Sequence, residues 1–544
     1  MRLRHTEDSL KFLSRIVFTA LLFGAFPILG KTQDHYPRDR GFDVTKYTFQ
    51  LEVTDTNDSI FGEANIAVEL DAHVSSIFFD LTNVDDQGRG MLAYHVSSKR
   101  VRLKYVHEKN LITVKYPEAQ TIKTKDTITI RYKGIPSDGL IISKNKHGDR
   151  TFFGDNWPNR AHHWIPVVDH PSEKAFIEFS VFHPPHYQVV SNGVLQSVID
   201  ISKSRRQTTW ASSRELPSKV AVVGVARFAV DYVRQVNGHM VSSWVYPQDA
   251  ENGFYDYALC ADILNYFENK IAPYPFEKLA NVQSKTRYGG MENAGCIFYN
   301  EGSVNGKRSS EELFAHEIAH QWFGNSASEA DWHHVWLSEG FATYLTEVYK
   351  QEVKGEESFK SGMEDARKRV LRYYSKFPDG STIDTSITEL TGLLSPMTYQ
   401  RAAWVLHMLR TRVGDAVFWK AVKAYYSDFQ FRNAYSNDLK EIFERASDMD
   451  LTEFFEKWLY QPGMIKADIK WTFDEEDKTL IVEVLQPKNA WFPWSAAITI
   501  FDQNGMSYNS GILHSDERRF VTSISMESPP KKVVFDAENN LLKW

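Results

Sequence analysis

Residues 316–345 read HEIAHQWFGNSASEADWHHVWLSEGFATYL. Within this stretch His316 and His320 are four residues apart, and Glu339 follows after eighteen intervening residues. Residues four apart on an α-helix project from the same face, so both imidazoles can reach one metal ion. Two histidines and one carboxylate leave the fourth position of tetrahedral zinc open, which is typical of a catalytic site. The stretch therefore predicts one zinc ion per chain, with His316, His320 and Glu339 as its ligands.

Glu317 directly follows the first predicted ligand. A carboxylate at this position can take a proton from water at the metal, so we predict that Glu317 is the general base of a hydrolase. The pattern alone does not choose among zinc hydrolases. An ordinary pair of charged helices is the alternative interpretation of the same residues.

The flanking residues predict the helices that carry the motif. Ser309 and Glu312 match a capping box and Gly324 suits a helix end, so the first helix is expected to span about four turns. Glu339 opens a second helical pattern that continues through residues 341–349. The intervening loop can bring this second helix back antiparallel to the first.

The composition narrows the class of protein. The chain has 544 residues, 42% of them hydrophobic, and a net charge of −7. This apolar content suffices for large cores and excludes a disordered or fibrous protein, and without a basic tract no nucleic-acid partner is expected. Cys260 and Cys296 are the only cysteines in the sequence. They exclude a disulfide framework but leave one bridge open, and Cys296 is expected to be a small buried residue rather than a nucleophile.

The N-terminal segment predicts export. Residues 16–30 form an uncharged apolar run that follows several basic residues. This pattern is typical of a secretory signal peptide, which we place at residues 1–30, and it predicts a periplasmic or secreted protein. An uncleaved membrane anchor stays open because no clear A-x-A cleavage site is visible. No later segment is apolar enough to cross a bilayer, so no membrane span is expected in the mature chain.

The hydrophobic period divides the rest of the chain. Period-two alternation dominates from Tyr47 to about Phe228, helical periodicity runs from about Phe254 to Leu459, and alternation then returns. The predicted fold class is therefore multidomain α+β. The predicted segments are an N-terminal antiparallel β saddle or sandwich (31–233), a mainly helical zinc catalytic domain (234–464) and a small C-terminal β-sandwich (465–544).

A second motif lies upstream of the predicted metal helix, where residues 288–295 read YGGMENAG. Glycines on both sides of a Met-Glu pair permit close approach of a ligand to the backbone, although such turns are common on their own. Together with the zinc motif, GGMEN resembles the zinc aminopeptidases of the aminopeptidase N and leukotriene hydrolase family, which are gluzincins. Residues 166–174 (PVVDHPSEK) resemble the β-domain signature of that family. The resemblance implies a three-domain, bacterial-type member with a thermolysin-like catalytic domain.

The resemblance also implies roles for individual residues. Glu292 would pair with the free α-ammonium of a peptide, which restricts cleavage to the first peptide bond. Tyr399 would stabilise the oxyanion of the tetrahedral intermediate. The implied activity is a zinc-dependent aminopeptidase whose partners are peptide substrates with a free N-terminus. The implied substrate-binding residues are Gly289, Gly290, Met291, Glu292 and Asn293.

One position departs from the family pattern. The family supplies a Gln or Glu as a second amine contact four residues before the Ala of its A-R-x-x-F-P signature. Counting back from Ala161, that place holds Trp157. Asp155 and Asn156 are both open as replacements.

Two other functions are left open by the sequence. A different zinc hydrolase on the same scaffold, such as an endopeptidase or a bifunctional leukotriene-hydrolase-like enzyme, is the first. A non-catalytic binding protein is the second, although the predicted ligands and base are all present. The preferred N-terminal residue of the substrate depends on the depth of a pocket, which the sequence does not predict.

Overall fold

The computed structural model describes residues 36–117 and 122–544. The predicted signal peptide at residues 1–30 lies outside the described residues. Within the described ranges, no helix is both long and apolar enough to span a membrane.

The N-terminal part consists of β-strands, as its alternating sequence predicts. In the second strand, Ile60–Leu70, buried residues alternate with more exposed ones along the whole length. The strands of this part are β1 (Phe42–Glu52), β2 (Ile60–Leu70), β3 (Ser76–Asp80), β4 (Gly90–Ser98), β5 (Val101–Arg102), β6 (Lys104–Glu108), β7 (Leu111–Lys115), β8 (Thr124–Ile135), β9 (Leu140–Lys144), β10 (Arg150–Gly154), β11 (Lys174–His183), β12 (Gln188–Ser191), β13 (Val194–Ser202), β14 (Arg205–Ala211), β15 (Leu216–Pro217) and β16 (Val223–Ala226).

These strands form a large sheet and smaller ones packed with it. The large sheet has the order β13-β14-β11-β1-β2-β8-β4-β5, and β15 also pairs with β11. Its pairs are antiparallel except for β1 with β11, which run parallel. A smaller sheet has the order β12-β16-β10-β9, and another has the order β3-β7-β6. The segment that follows β10 contains Trp157, which lines a cleft together with residues of the central part.

The central part is mainly helical and carries the predicted metal motif. Its strands and helices are β17 (Ala229–Val236), β18 (His239–Val245), α1 (Ala250–Tyr257), α2 (Leu259–Lys270), β19 (Lys278–Ser284), β20 (Gly290–Met291), β21 (Cys296–Asn300), α3 (Glu311–Ala319), β22 (Ser328–Glu329), α4 (Trp336–Lys354), α5 (Glu356–Tyr374), α6 (Ala402–Val413), α7 (Asp415–Phe429), β23 (Asn433–Ala434), α8 (Ser436–Ser447) and α9 (Thr452–Tyr460).

A mixed sheet and a helix pair position the site in this part. The sheet has the order β17-β18-β19-β21-β20, so the short strand β20 lies at its edge. Helix α3 packs against both β20 and α4, and α4 packs in turn against α5 and α6. The predicted motif residues are therefore brought together by the contact of one sheet edge with one helix pair.

Two helix boundaries differ from the sequence prediction. Helix α3 has nine residues and is shorter than the predicted four turns. Ser310, not Ser309, is its N-cap, and neither a capping box nor any other side-chain cap is formed there. Ser309 instead accepts a hydrogen bond from Asn305 (2.8 Å). Helix α4 begins three residues before Glu339, so Glu339 lies in its first turn.

The C-terminal part is a small β-sandwich of the strands β24 (Asp468–Asp474), β25 (Thr479–Leu485), β26 (Trp494–Phe501), β27 (Ser507–Ser515), β28 (Arg519–Ser525) and β29 (Lys532–Phe535). One sheet has the order β24-β25-β28, and the other has the order β27-β26-β29. Trp494 of one sheet and Phe520 of the other pack edge to face, with ring centroids 5.1 Å apart, in the shared core. The predicted fold class is confirmed, and the domain boundaries stay predictions.

Candidate metal centre and active site

The three predicted metal ligands converge on one point. Nε2 of His316 and Nε2 of His320 lie 3.1 Å apart, and they lie 3.4 Å and 3.2 Å from Oε2 of Glu339. Bonds of about 2.0–2.1 Å at tetrahedral angles place the ligand atoms of a zinc ion about 3.3 Å apart. The spacing of this triad is therefore that of a zinc site.

The surroundings of the triad also fit a cation. Glu339 is buried, and its Oε2 has no hydrogen-bond donor of good geometry among the described residues. A buried carboxylate oxygen without a donor is costly, and a metal ion between it and the imidazoles removes that cost. The donor set of two imidazoles and a carboxylate is one that zinc prefers, so the residues present fit this metal.

Contacts behind His320 fix which nitrogen faces the centre. Its Nδ1 lies 3.2 Å from the carbonyl oxygen of Phe323 and 3.0 Å from the Ser338 hydroxyl. With Nδ1 donating to these oxygens, Nε2 is the nitrogen left for a metal. Gly324 must stay small here, because a β-carbon would lie 2.2 Å from the Ser338 hydroxyl oxygen.

The centre carries an excess of negative charge. Burial by itself would lower the pKa of His320, but the carboxylates of Glu339, Glu292 and Glu317 outweigh burial and raise this pKa to about 9. A field that holds a proton on a buried imidazole also favours a divalent cation, and binding of the cation releases the proton.

Glu317 lies against the edge strand of the sheet. A β-carbon added at Gly290 would lie 2.4 Å from Oε1 of Glu317, so the backbone of β20 passes directly beside this carboxylate. Burial raises the pKa of Glu317 well above its ordinary value, and the negative charge of Glu292 raises it further. A carboxylate with a raised pKa accepts a proton more readily from water.

Glu292 lies in the same buried region, and burial also raises its pKa. Its Oε1 has no hydrogen-bond partner among the described residues. Its backbone carbonyl accepts hydrogen bonds from Gln321 (2.8 Å) and Asn325 (2.6 Å), and Gln321 also accepts from the amide of Gly295 (2.9 Å). The side chain of Glu292 is therefore free to bind a ligand. The backbone of residues 292–295 is fixed by these hydrogen bonds to the segment that follows α3.

Gln321 and Asn325 were not singled out from the sequence. They lie inside the motif that the sequence analysis quotes, directly after the second histidine. Their role depends on the position of the 292–295 loop, which follows only from the fold. A polar residue next to a ligand is the only signal that the sequence offers.

Tyr399 lies over the metal triad. Its ring stacks on the imidazole of His316, with centroids 6.1 Å apart and 15° between the planes. It belongs to a π-helical turn, Met397–Arg401, directly before α6, and such turns are frequent at functional sites. Burial raises the pKa of Tyr399 well above its ordinary value, so the hydroxyl keeps its proton and can donate it in a hydrogen bond.

The carboxylate of Asp155 already binds other residues of the protein. It is fully buried and accepts hydrogen bonds from Thr286 (3.2 Å), from the amide of Arg287 (3.1 Å) and from Arg160. The carboxylate thus joins the segment after β10 to the segment before the GGMEN loop. It is not available as the second amine contact.

The side-chain amide of Asn156 also has hydrogen-bond partners within the protein. Its amide nitrogen donates to the carbonyls of Ser218 (3.0 Å) and Ala221 (2.5 Å), and its amide oxygen accepts from the indole of Trp164 (2.8 Å). Asp155 and Asn156, which the sequence left open as amine contacts, therefore both stabilise the fold instead. Of residues 155–157, only Trp157 lines the cleft.

A cleft of about 590 Å³ unites the site residues. Asn293 is fully buried and does not line this cleft, in contrast to the other predicted site residues. Cys260 and Cys296 are buried and unpaired, so the bridge that the sequence left open is not formed. The predicted site residues that line the cleft are Gly289, Gly290, Met291, Glu292, His316, Glu317, His320, Glu339 and Tyr399.

Comparison with known families agrees with this geometry. Residues 255–458 match the Peptidase family M1 domain, and residues 43–220 match the Peptidase M1 N-terminal domain. The chain belongs to peptidase family M1. The two matches together cover more than half of the chain, and the family resemblance drawn from GGMEN and the zinc motif is confirmed. The M1 family is a family of peptidases.

Individual relatives of this M1 chain are distant. Glutamyl aminopeptidase from Sus scrofa is 26% identical over 324 residues, which cover 57% of this chain and 34% of that protein. Tricorn protease-interacting factor F2 from Thermoplasma acidophilum is 26% identical over 408 residues, covering 70% of this chain and 50% of that protein. The chain thus spans about a third to a half of the length of these curated relatives.

A solved structure has the same fold. The M1 zinc metallopeptidase from Deinococcus radiodurans superposes with a TM-score of 0.65 at 21% identity, covering 78% of this chain and 95% of that chain. At this identity the likeness establishes the fold, and the function must be argued from the site.

Proposed function

We propose that this chain is a zinc-dependent aminopeptidase that removes the N-terminal residue from peptides. The observation that carries the proposal is the carboxylate of Glu292. Its Oε1 is buried and has no hydrogen-bond partner among the described residues, and Glu292 lines the same cleft as His316, His320 and Glu339. A carboxylate in this position supplies the counter-charge for an α-ammonium beside the reacting centre.

His316, His320 and Glu339 would hold one zinc ion per chain. When bound, zinc supplies a Lewis acid that polarises the scissile carbonyl and lowers the pKa of water. This assignment rests on the spacing of the three ligand atoms and on the burial of Glu339 Oε2, which has no hydrogen-bond donor of good geometry among the described residues. Metal analysis of the purified protein tests it, with one zinc per chain expected in the wild type and a loss of zinc in H320A.

The protein side chains carry the proton transfers. Glu317 accepts a proton from the attacking water and passes it to the nitrogen of the leaving amine as the C–N bond breaks. The hydroxyl of Tyr399 donates a hydrogen bond to the oxyanion that develops on the former carbonyl. The backbone of Gly289 and Gly290 lies along the cleft wall, where it can run beside an extended substrate.

An amine-blocked substrate provides the decisive test. Alanine p-nitroanilide should be hydrolysed, and N-acetylalanine p-nitroanilide should not, because the acetylated nitrogen offers no cation to Glu292. The variant E317Q should bind zinc and lose activity by about 10²–10⁴-fold, the range that general-base catalysis contributes. Equal cleavage of both substrates would show that Glu292 does not bind an amine.

We also infer that the protein is exported to a periplasmic or extracellular location. The support is the apolar run at residues 16–30, which follows several basic residues. N-terminal sequencing of the protein recovered outside the cytoplasm would test cleavage near residue 30. Recovery of the full-length chain in a membrane fraction would favour the uncleaved anchor instead.

A further inference from the structure

We propose that the amine site of this protein accepts secondary ammonium groups, such as the N-terminus of an N-methylated residue, because Trp157 lines the cleft where a second acceptor would be needed to exclude them. This inference rests on the proposed aminopeptidase function and concerns its substrate class.

An α-ammonium offers three N–H donors to its binding site. A site with enough acceptors for all three rejects analogues in which a methyl group replaces one N–H, since a buried acceptor is then left unpaired. The number of acceptors around the nitrogen therefore decides whether N-methylation is tolerated.

Asp155 and Asn156, the two polar residues directly before Trp157, are the candidates for a second acceptor, whereas the amide oxygens of Asn293 and Asn325 do not line the cleft. Asp155 already accepts hydrogen bonds from Arg160, Thr286 and the amide of Arg287, and it is fully buried outside the cleft. The amide oxygen of Asn156 accepts from Trp164. Neither oxygen reaches a substrate in the cleft.

Trp157 occupies the cleft wall in their place. It is 2% exposed, and its indole nitrogen has no hydrogen-bond partner among the described residues. An indole N–H is a donor only, so it cannot accept a hydrogen bond from an ammonium. The ring packs edge to face against Trp332, with centroids 5.8 Å apart, which fixes its orientation.

The two other carboxylates beside the proposed metal site have other proposed roles. Glu317 is assigned to the attacking water, and Glu339 to the metal. Glu292 therefore provides the charged acceptor, and the indole of Trp157 provides an apolar aromatic surface. A methylated ammonium is favourable against an aromatic surface, as the aromatic cages that bind methylated amines show.

The experiment compares two substrates on the zinc-loaded wild-type protein. Alanine p-nitroanilide presents a primary ammonium, and N-methylalanine p-nitroanilide presents a secondary one. We expect kcat/KM for the methylated substrate to lie within about tenfold of the primary one, whereas a site that needs every N–H discriminates by about 10⁴-fold or more. A ratio below about one-hundredth overturns the inference.

Two variants assign the effect to Trp157. W157Q adds an amide oxygen that can accept from the ammonium, so the ratio of methylated to primary kcat/KM should fall by at least about tenfold. W157F keeps an aromatic ring without an acceptor and should keep the wild-type ratio. Unchanged ratios in both variants would show that Trp157 does not set the tolerance. If W157Q does not fold, the wild-type ratio still decides whether the site accepts a secondary ammonium group.

The two proposals fail in different ways. Absence of hydrolysis of every member of a panel of aminoacyl p-nitroanilides by the zinc-loaded protein would overturn the aminopeptidase function itself. Hydrolysis of alanine p-nitroanilide without hydrolysis of its N-methyl analogue would overturn only the inference about Trp157.

Discussion

Gly290 and the proposed general base Glu317 are in such close contact that a β-carbon on Gly290 would lie 2.4 Å from Glu317 Oε1. The edge strand of the sheet and the metal helix therefore meet at the proposed reacting centre. This close contact requires a glycine at position 290. The neighbouring Gly289 has more room, since a β-carbon there would lie 3.4 Å from Leu313.

The variant G290A is expected to displace the Glu317 carboxylate and to lower kcat/KM for alanine p-nitroanilide by about 10²-fold, the cost of a misplacement of about 1 Å. G289A is the matched control and should retain most of the activity, because its new methyl group makes an ordinary contact. Equal losses in the two variants would indicate a general defect of the loop rather than contact with Glu317.

Much of this site follows from the sequence alone. The spacing of His316, His320 and Glu339 predicts the triad because helical geometry is local and regular. The triad stays a prediction, whereas the predicted fold class of alternating strands and periodic helices is confirmed, since burial of one face of an element gives its residues the period of that element. The predicted length of α3 was wrong. A local capping pattern does not fix a helix end when tertiary contacts, which the sequence does not display, also act on it.

The amine site could not be predicted in the same way. The sequence left Asp155 and Asn156 open as contacts to the substrate amine. In the structure they form hydrogen bonds with residues that are distant in sequence, such as Arg287 and Ser218. A carboxylate or amide in a motif is equally suited to binding and to support of the fold. Only the positions of its partners distinguish the two.

Metal removal is expected to destabilise the protein. The buried carboxylates of Glu292, Glu317 and Glu339 repel one another, and a bound cation offsets this repulsion. A ligand that binds only the native state, at a free concentration a thousandfold above its Kd, stabilises that state by about 4 kcal/mol. Chelation should therefore lower the unfolding temperature in differential scanning calorimetry, and added zinc should restore it.

The variant H320A is the control for the chelation experiment. It lacks a ligand, so chelator and zinc should leave its unfolding temperature unchanged. A wild-type protein whose unfolding temperature does not respond to chelation, although its zinc has been removed, would contradict a stabilising metal centre.

Removal of the Tyr399 hydroxyl tests its role at the oxyanion. Y399F keeps the ring that stacks on His316 and loses only the donor. We expect kcat to fall by about 10²–10³-fold, as for loss of one oxyanion donor, while KM changes little. Steady-state kinetics should be compared with those of Y232F, a change at an exposed tyrosine of β17. A large rise in KM with an unchanged kcat would place the hydroxyl in substrate binding instead.

Arg401 joins the turn that carries Tyr399 to the last helix of the central part, α9, and to the residues that follow it. Its guanidinium is fully buried and donates to the carbonyls of Gln461 (2.8 Å) and Trp458 (3.2 Å) and to that of Gly463. The variant R401M leaves several buried carbonyls unpaired, each at a cost of about 1–3 kcal/mol, so the free energy of unfolding should fall by about 3 kcal/mol or more.

The matched control for R401M is R519M. Arg519 is exposed and pairs with Glu483 on the surface of the C-terminal sandwich, and such pairs contribute about 0–1 kcal/mol. Urea unfolding followed by tryptophan fluorescence should separate the two variants clearly. Because Arg401 ends the π-helical turn that begins at Met397, R401M should also lower kcat under conditions in which the protein is still folded. Loss of stability without loss of kcat would show that the turn keeps Tyr399 in place without its buried guanidinium.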